Sequence, residues 1–276
     1  MADFTRALKS DSEARPLLGR VRRLYSIGAS NSTEPLHALL HSEPGQGLFD
    51  LSFLVTPPVA EHAIPPGGHE PPRGAGRVVL LTSEADLILF NAAALREGNR
   101  LHPRYRVYEV AGAPHIPNTW FPDRPSPLGN DWTPFLRALF VSADRWATRG
   151  WPPPASVYLR PADEGESDPV YLFPTGIARD ADLNARGGIR APDLAIGRSR
   201  YLAVDFSFDP FFGNVIDLAC VPLHGSARFP SHRAYVRAFV RQVGRLLASG
   251  FLLPEDARAA ATEAAHSDVG KPGSCP

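Results

Sequence analysis

The sequence predicts an α/β protein built on a mainly parallel sheet with flanking helices. Three observations predict it. Strand-like and helix-like runs alternate between residues 20 and 110, as they do in strand–helix–strand crossovers. One of those runs, Arg77–Thr82 (RVVLLT), is apolar almost throughout, as a strand covered on both faces of a parallel sheet must be. Further along, two long segments carry an apolar stripe at helical spacing. With 276 residues the chain can bury a real core, and 1–276 reads as a single domain with irregular mixed structure at about 155–230.

Residues 3–9 look like the end of a short helix. Arg20–Ile27 (RVRRLYSI) reads as the first strand and runs into GASNS. Thr33–His41 follows as a helix with Leu36, Leu39 and Leu40 on one face. Leu48–Val55 (LFDLSFLV) is a second strand, the Pro- and Gly-rich stretch 56–76 a loop, and Arg77–Thr82 the third strand. Residues 89–98 have helical spacing, and Tyr105–Val110 (YRVYEV) is a strand that ends at AGAPH. Thr133–Arg149 predicts a helix: Pro134 suits its first turn, Leu136, Leu139, Phe140, Ala143 and Trp146 form the buried stripe, and Gly150 stops it. His232–Ser249 predicts another, with Tyr235, Val236, Phe239, Val240, Val243, Leu246 and Leu247 inward, and Leu253–Ala265 a third. The 29 prolines cluster at 57–72, 114–127 and 152–161, where they mark long irregular connections.

Charge narrows the function. Lys+Arg and Asp+Glu both number 29, and the basic residues are dispersed without interleaved aromatics, which argues against a nucleic-acid partner. No apolar stretch approaches the roughly 20 residues of a membrane helix, and the charged N-terminus MADFTRALKSDSEARP has no apolar signal region, so no membrane partner is expected. Cys220 lies in an apolar run and Cys275 in a polar tail. Their contexts argue against a disulfide and for a reducing compartment, and the expected location is cytoplasmic. Neither has the spacing of a zinc site.

The chemistry-bearing signals sit at strand ends. Gly28-Ala29-Ser30-Asn31-Ser32, between a strand and a helix, has the layout of the nucleophile elbow G-x-S-x-G with serine in the last place. A nucleophile on so tight a turn needs small residues two positions either side, and Gly28 and Ser32 supply them. Were Ser32 the nucleophile, Glu34 would fall where a small residue is needed. Ser30 is the expected nucleophile, and the backbone N–H of Asn31 the expected oxyanion donor. The bland alternative is a polar turn that only caps a helix.

After the third strand comes Thr82-Ser83-Glu84-Ala85-Asp86. Acids just past a parallel strand's C-terminal end lie where such sheets place their sites. Asp86, read as a loop carboxylate, is the expected orienting acid, Glu84 its competitor, and either could simply cap the next helix. After the fourth strand comes Gly112-Ala113-Pro114-His115, the expected general base; His62, His69 and His102 read as surface residues. The order Ser30, Asp86, His115 is that of α/β-hydrolases. Such a triad requires no metal and no organic cofactor. Trp120, Phe121, Trp132 and Trp151 could line an apolar acyl pocket, or pack against the body of the domain.

The chain resembles the C-terminal part of a family of large, mostly uncharacterised, esterase-like α/β-hydrolase-domain proteins. The likeness runs from LLGRVRRLYSIGASNS through LLTSEADL, YEVAGAPHIPN and FLRALFVSADRWATRGWPPPAS to GGIRAPDL and LLASGFLLPEDA. It implies that Ser30, His115 and the Glu84/Asp86 acid are the catalytic set of a partial α/β-hydrolase fold whose N-terminal strands are missing. The family writes its elbow G-x-S-Q-S-G, where this chain has GASNS followed by Thr33. A missing half would turn the first strand into an open edge and remove a second oxyanion donor, which typically costs ~10²–10³ in kcat. The expectation is a serine hydrolase of a small-molecule carboxylic ester, with a homo-oligomer or a partner chain completing the sheet. The alternatives are a weak or inactive remnant acting as an interaction protein, and other acyl chemistry such as a transferase or lyase.

Overall fold

The computed structural model describes residues 21–57, 76–90, 96, 103–117, 131–163, 165–207, 210–223 and 227–274. The short helix end expected at 3–9 lies outside them. The chain divides into two compact units: Met1–Thr82 with Leu89–Tyr108 and Ser142–Ser156, and Ser83–Ile88 with Glu109–Val141 and Val157–Pro276.

In the first unit β1 (Tyr25–Ala29) and β2 (Leu51–Val55) pair in parallel, Tyr25 opposite Leu51 and Ala29 opposite Val55. β2 pairs in parallel with β3 (Arg77–Ser83), Leu51 opposite Arg77. With β4 (Tyr105–Val110) they form a mainly parallel sheet of order β1-β2-β3-β4. Every residue of β2 and six of seven in β3 are buried, as the unbroken apolar runs require. β1 starts later than Arg20 and β2 later than Leu48 because Asp50 intervenes. Its Oδ2 takes the Leu24 N–H at 2.9 Å and its own N–H reaches the Leu24 carbonyl at 2.8 Å, so the strand ladder opens only at Tyr25 and Leu51.

A 3₁₀ turn, Ser30–Ser32, leads from β1 into α1 (Thr33–His41). After β3 the chain enters α2 (Glu84–Leu89) at once. The acids therefore stand in the first turn of a helix, not in a loop. The helical spacing at 89–98 falls mostly outside the described residues. The long helix α3 (Thr133–Arg149) begins and ends where its sequence signals place it. Its Asp144 takes the Tyr25 hydroxyl at 2.8 Å in the first unit, and the guanidinium groups of Arg77 and Arg106 sit 5.6 and 5.2 Å from the Trp146 ring. Its buried line is Phe135, Leu139, Ala143 and Trp146, whereas Phe140 is exposed.

The second unit carries the irregular segment that the sequence places at 155–230. It holds α4 (Pro192–Ala195) and an antiparallel pair, β5 (Ser199–Leu202) with β6 (Asn214–Asp217). Ile189 bridges in parallel to Val110, so this segment continues the strand pattern by a single rung. α5 (His232–Ala248), capped by Ser231, packs on α6 (Pro254–His266). Tyr235, Phe239, Val243 and Leu246 face inward, whereas Val240 and Leu247 are exposed, so the buried stripe is narrower than the one read from the sequence.

The expectation about the cysteines is overturned. Cys220 is disulfide-bonded. The chain's one other cysteine, Cys275, lies outside the described residues. Among the described residues no helix is long and apolar enough to cross a membrane.

Candidate active site

The elbow is built from backbone economy. Gly28 is buried on β1, and a Cβ there would come within 3.0 Å of the Ser32 carbonyl and 3.1 Å of the Thr33 Cα. The strand and the start of α1 approach too closely for a side chain. Ser30 itself takes φ 51°, a left-handed conformation that a non-glycine residue adopts only when its surroundings enforce it. The enforcement is local. The Ser32 hydroxyl accepts the Ala29 N–H and donates to the Ala29 carbonyl, both at 2.7 Å, and the Thr33 hydroxyl donates to the Ser30 carbonyl at 2.7 Å. Ser30 stands half-buried with Asn31 exposed beside it.

In the second unit, the first turn of α2 meets the loop after β4 at three consecutive residues. Glu84 takes the Gly112 N–H on Oε2 at 2.7 Å. The Ala85 N–H donates to the Ala113 carbonyl at 3.1 Å. Asp86 places Oδ1 2.6 Å from Nδ1 of His115. Asp86 also caps its helix: Oδ2 accepts the Ser83 N–H at 2.8 Å while the Ser83 hydroxyl accepts the Asp86 N–H at 3.1 Å. One carboxylate thus does both things the sequence offered as alternatives, one with each oxygen.

Asp86 is fully buried and His115 only 4 % exposed. Burial pushes the Asp86 carboxyl above its ordinary value, and hydrogen bonds from His115 and Ser83 counter it only in part. The Asp86 carboxylate thus fixes the orientation of the imidazole through Nδ1. The Phe211 ring lies 5.3 Å from the imidazole, and the Ile116 N–H donates to the Phe211 carbonyl at 3.1 Å. Trp132 is buried and donates its indole N–H to the Pro114 carbonyl at 3.0 Å, next to His115 in the chain.

A family model described as alpha/beta hydrolase domain matches residues 1–262. The chain belongs to that family. The match spans nearly the whole sequence, and hydrolase is the activity class it carries. No curated protein and no solved structure gives a match to this chain.

In this alpha/beta hydrolase, His115 and Asp86 come together, and Glu84 does not face the imidazole. It faces Gly112 and a cation the sequence reading missed, Arg179, whose Nη1 donates to Glu84 Oε1. Arg179 comes from the segment without clear period, 95 residues away, so no spacing rule could pair it with Glu84. Of the aromatics weighed for an acyl pocket, Trp132 packs beneath the histidine loop. Trp151 belongs to the first unit and is 61 % exposed. Trp120 and Phe121, like His62, His69 and His102, lie outside the described residues.

Proposed function

We propose that the chain is a serine hydrolase that cleaves a small-molecule carboxylic ester through Ser30, His115 and Asp86. The observation that carries this reading is the Asp86–His115 contact: a 2.6 Å hydrogen bond, both groups buried, with the second carboxylate oxygen locked by the helix cap. A histidine held so firmly by one nitrogen is a poor structural filler and a well-prepared base. The left-handed Ser30 on its strand-to-helix turn supports the other half.

In this mechanism Nε2 of His115 takes the Ser30 hydroxyl proton as Oγ attacks the ester carbonyl. Asp86 holds the tautomer and stabilises the imidazolium. The Asn31 N–H, in the 3₁₀ turn that leads into α1, donates to the developing oxyanion. Collapse expels the alcohol, which takes the proton from His115 and leaves an acyl-enzyme on Ser30. Water, deprotonated by His115, then releases the acid. The steps call on no metal ion and no organic cofactor. We further propose that β1, whose Ile27 is 63 % exposed, pairs with a second copy of the chain.

Fluorophosphonate labelling of the purified protein tests the reading. Labelling is expected in the wild type and absent in Ser30→Ala and His115→Ala, with ester turnover falling by up to ~10⁶-fold. Asp86→Asn should retain the fold and lose ~10⁴ in kcat through the wrong tautomer. A wild type that neither labels nor turns over any ester overturns it.

A further inference from the structure

Glu84 is the one candidate acid that no step above uses, and its surroundings are costly. Glu84, Asp168 and Arg179 have side chains 0 %, 1 % and 5 % exposed. Arg179 donates through Nη1 to Glu84, and through Nε and Nη2 to Asp168 Oδ2 at 2.8 and 2.6 Å. Asp168 is further satisfied by the Thr175 hydroxyl at 2.5 Å and the Val170 N–H at 2.9 Å. The Tyr171 ring lies 5.5 Å from the guanidinium carbon. Burial alone would lower the basicity of Arg179; the two carboxylates outweigh it and hold the charge firmly in place. A triad of this kind brings little net stability, since desolvation offsets most of the attraction, so its position is its informative property.

That position is the histidine loop. The Glu84 oxygen not taken by Arg179 accepts the N–H of Gly112, a residue at φ +69° where a Cβ would lie 2.6 Å from the Tyr201 Cβ. Gly112 is three residues before His115, and Ala113 between them is tied to Ala85, the neighbour of Glu84. We propose that Arg179 and Glu84 are positioning residues for His115. The ion pair pins the backbone turn that aims the imidazole at Asp86, and it occupies Glu84 so that a second buried carboxylate does not compete for the ring. Lysine cannot replace Arg179 here, because a single ammonium lacks the planar fork that serves two carboxylates at once.

The proposal rests on the hydrolase reading for its kinetic arm only; its spectroscopic arm does not depend on turnover. The primary measurement is the imidazole Nδ1 proton of His115 in ¹⁵N-histidine-labelled protein, assigned by its loss in His115→Ala. In the wild type a slowly exchanging, far-downfield resonance is expected. In Glu84→Gln and Arg179→Lys it should move upfield and exchange rapidly. In Arg228→Lys it should stay. Arg228 binds Asp182 in the same unit through two 2.8 Å contacts and is equally buried, so it reports what losing an ion pair does by itself.

On an ester substrate, Glu84→Gln should lose ~10²-fold in kcat with KM little changed, as for a base misplaced by a fraction of an ångström to an ångström. If a single variant does not fold, the neutral triple Glu84→Gln, Asp168→Asn, Arg179→Gln removes the charges together, and its His115 resonance is read the same way. Folded variants with an unaltered resonance and wild-type kcat overturn the proposal. A wild type that does not label, but whose His115 resonance still depends on Glu84 and Arg179, overturns the catalytic reading and upholds the positioning one.

Discussion

Desolvation raises the carboxyls of both Asp86 and the half-buried Asp193, and the two differ in how their oxygens are satisfied. Asp86 has a donor for each oxygen. Oδ1 of Asp193 lies 3.8 Å from Arg198 Nε, beyond hydrogen-bond reach, and among the described residues neither of those two atoms has a hydrogen-bond partner. Burial pushes its carboxyl from 3.8 up to about 6, with Arg198 pulling back too little. A carboxyl raised in the folded state binds its proton more tightly there than in the unfolded chain. Its contribution is therefore full below the ordinary value and is lost as pH rises through about 6. Asp193→Asn should accordingly be more stable than the wild type at pH 7 and no more stable at pH 3.5. The side chain keeps 22 % exposure, so the gain is nearer ~1 kcal/mol than the ~3 kcal/mol that two pH units could give. Urea unfolding at the two pH values reads it, and a difference that ignores pH would refute the assignment. The same scale explains what was legible at the site. Ser30, Asp86 and His115, the residues proposed for catalysis, stood out because strand-end position, small neighbours and chain order are all written locally. Arg179 could not, because its pairing with Glu84 is a long-range contact.

At the scale of elements, burial patterns followed composition closely where packing is two-sided and loosely where it is one-sided. β2 and β3 are buried as uniformly as their apolar runs demand. α3 and α5 each leave outside an apolar residue read as inward, Phe140 in the one and Val240 and Leu247 in the other. Element ends moved wherever a side chain competed with the backbone: Asp50 delayed β1 and β2, and Ser83 with Asp86 started α2 early. β1 has mixed burial, and its exposed Ile27 gives the element-scale prediction. If β1 pairs with a second copy, sedimentation velocity should show concentration-dependent association. Ile27→Lys should shift it to monomer with the fold intact, since β1 is an edge strand among the described residues and a charge on such an edge disfavours pairing. A wild type that is monomeric at all concentrations would remove that proposal.

For the whole molecule, the disulfide at Cys220 is a constraint on the unfolded chain as much as on the folded one. Reduction, or Cys220→Ser, is expected to lower stability by about 2–4 kcal/mol, read as a lower Tm with and without reductant. An unchanged melting curve would mean that the bond adds nothing. The sequence by itself determined the family, the α/β class, the positions of the long helices and the parallel strands, and the three residues proposed for catalysis. Each of these is encoded in periodicity, in local residue size, or in motif order along the chain. Only the tertiary structure decided which of two buried acids meets His115, that Arg179 occupies the other, that Cys220 is bonded, and how the segment at 155–230 is arranged. These depend on which distant residues share a volume. Two carboxylates two positions apart are equivalent as letters, and become different only when folding gives one an imidazole and the other a guanidinium.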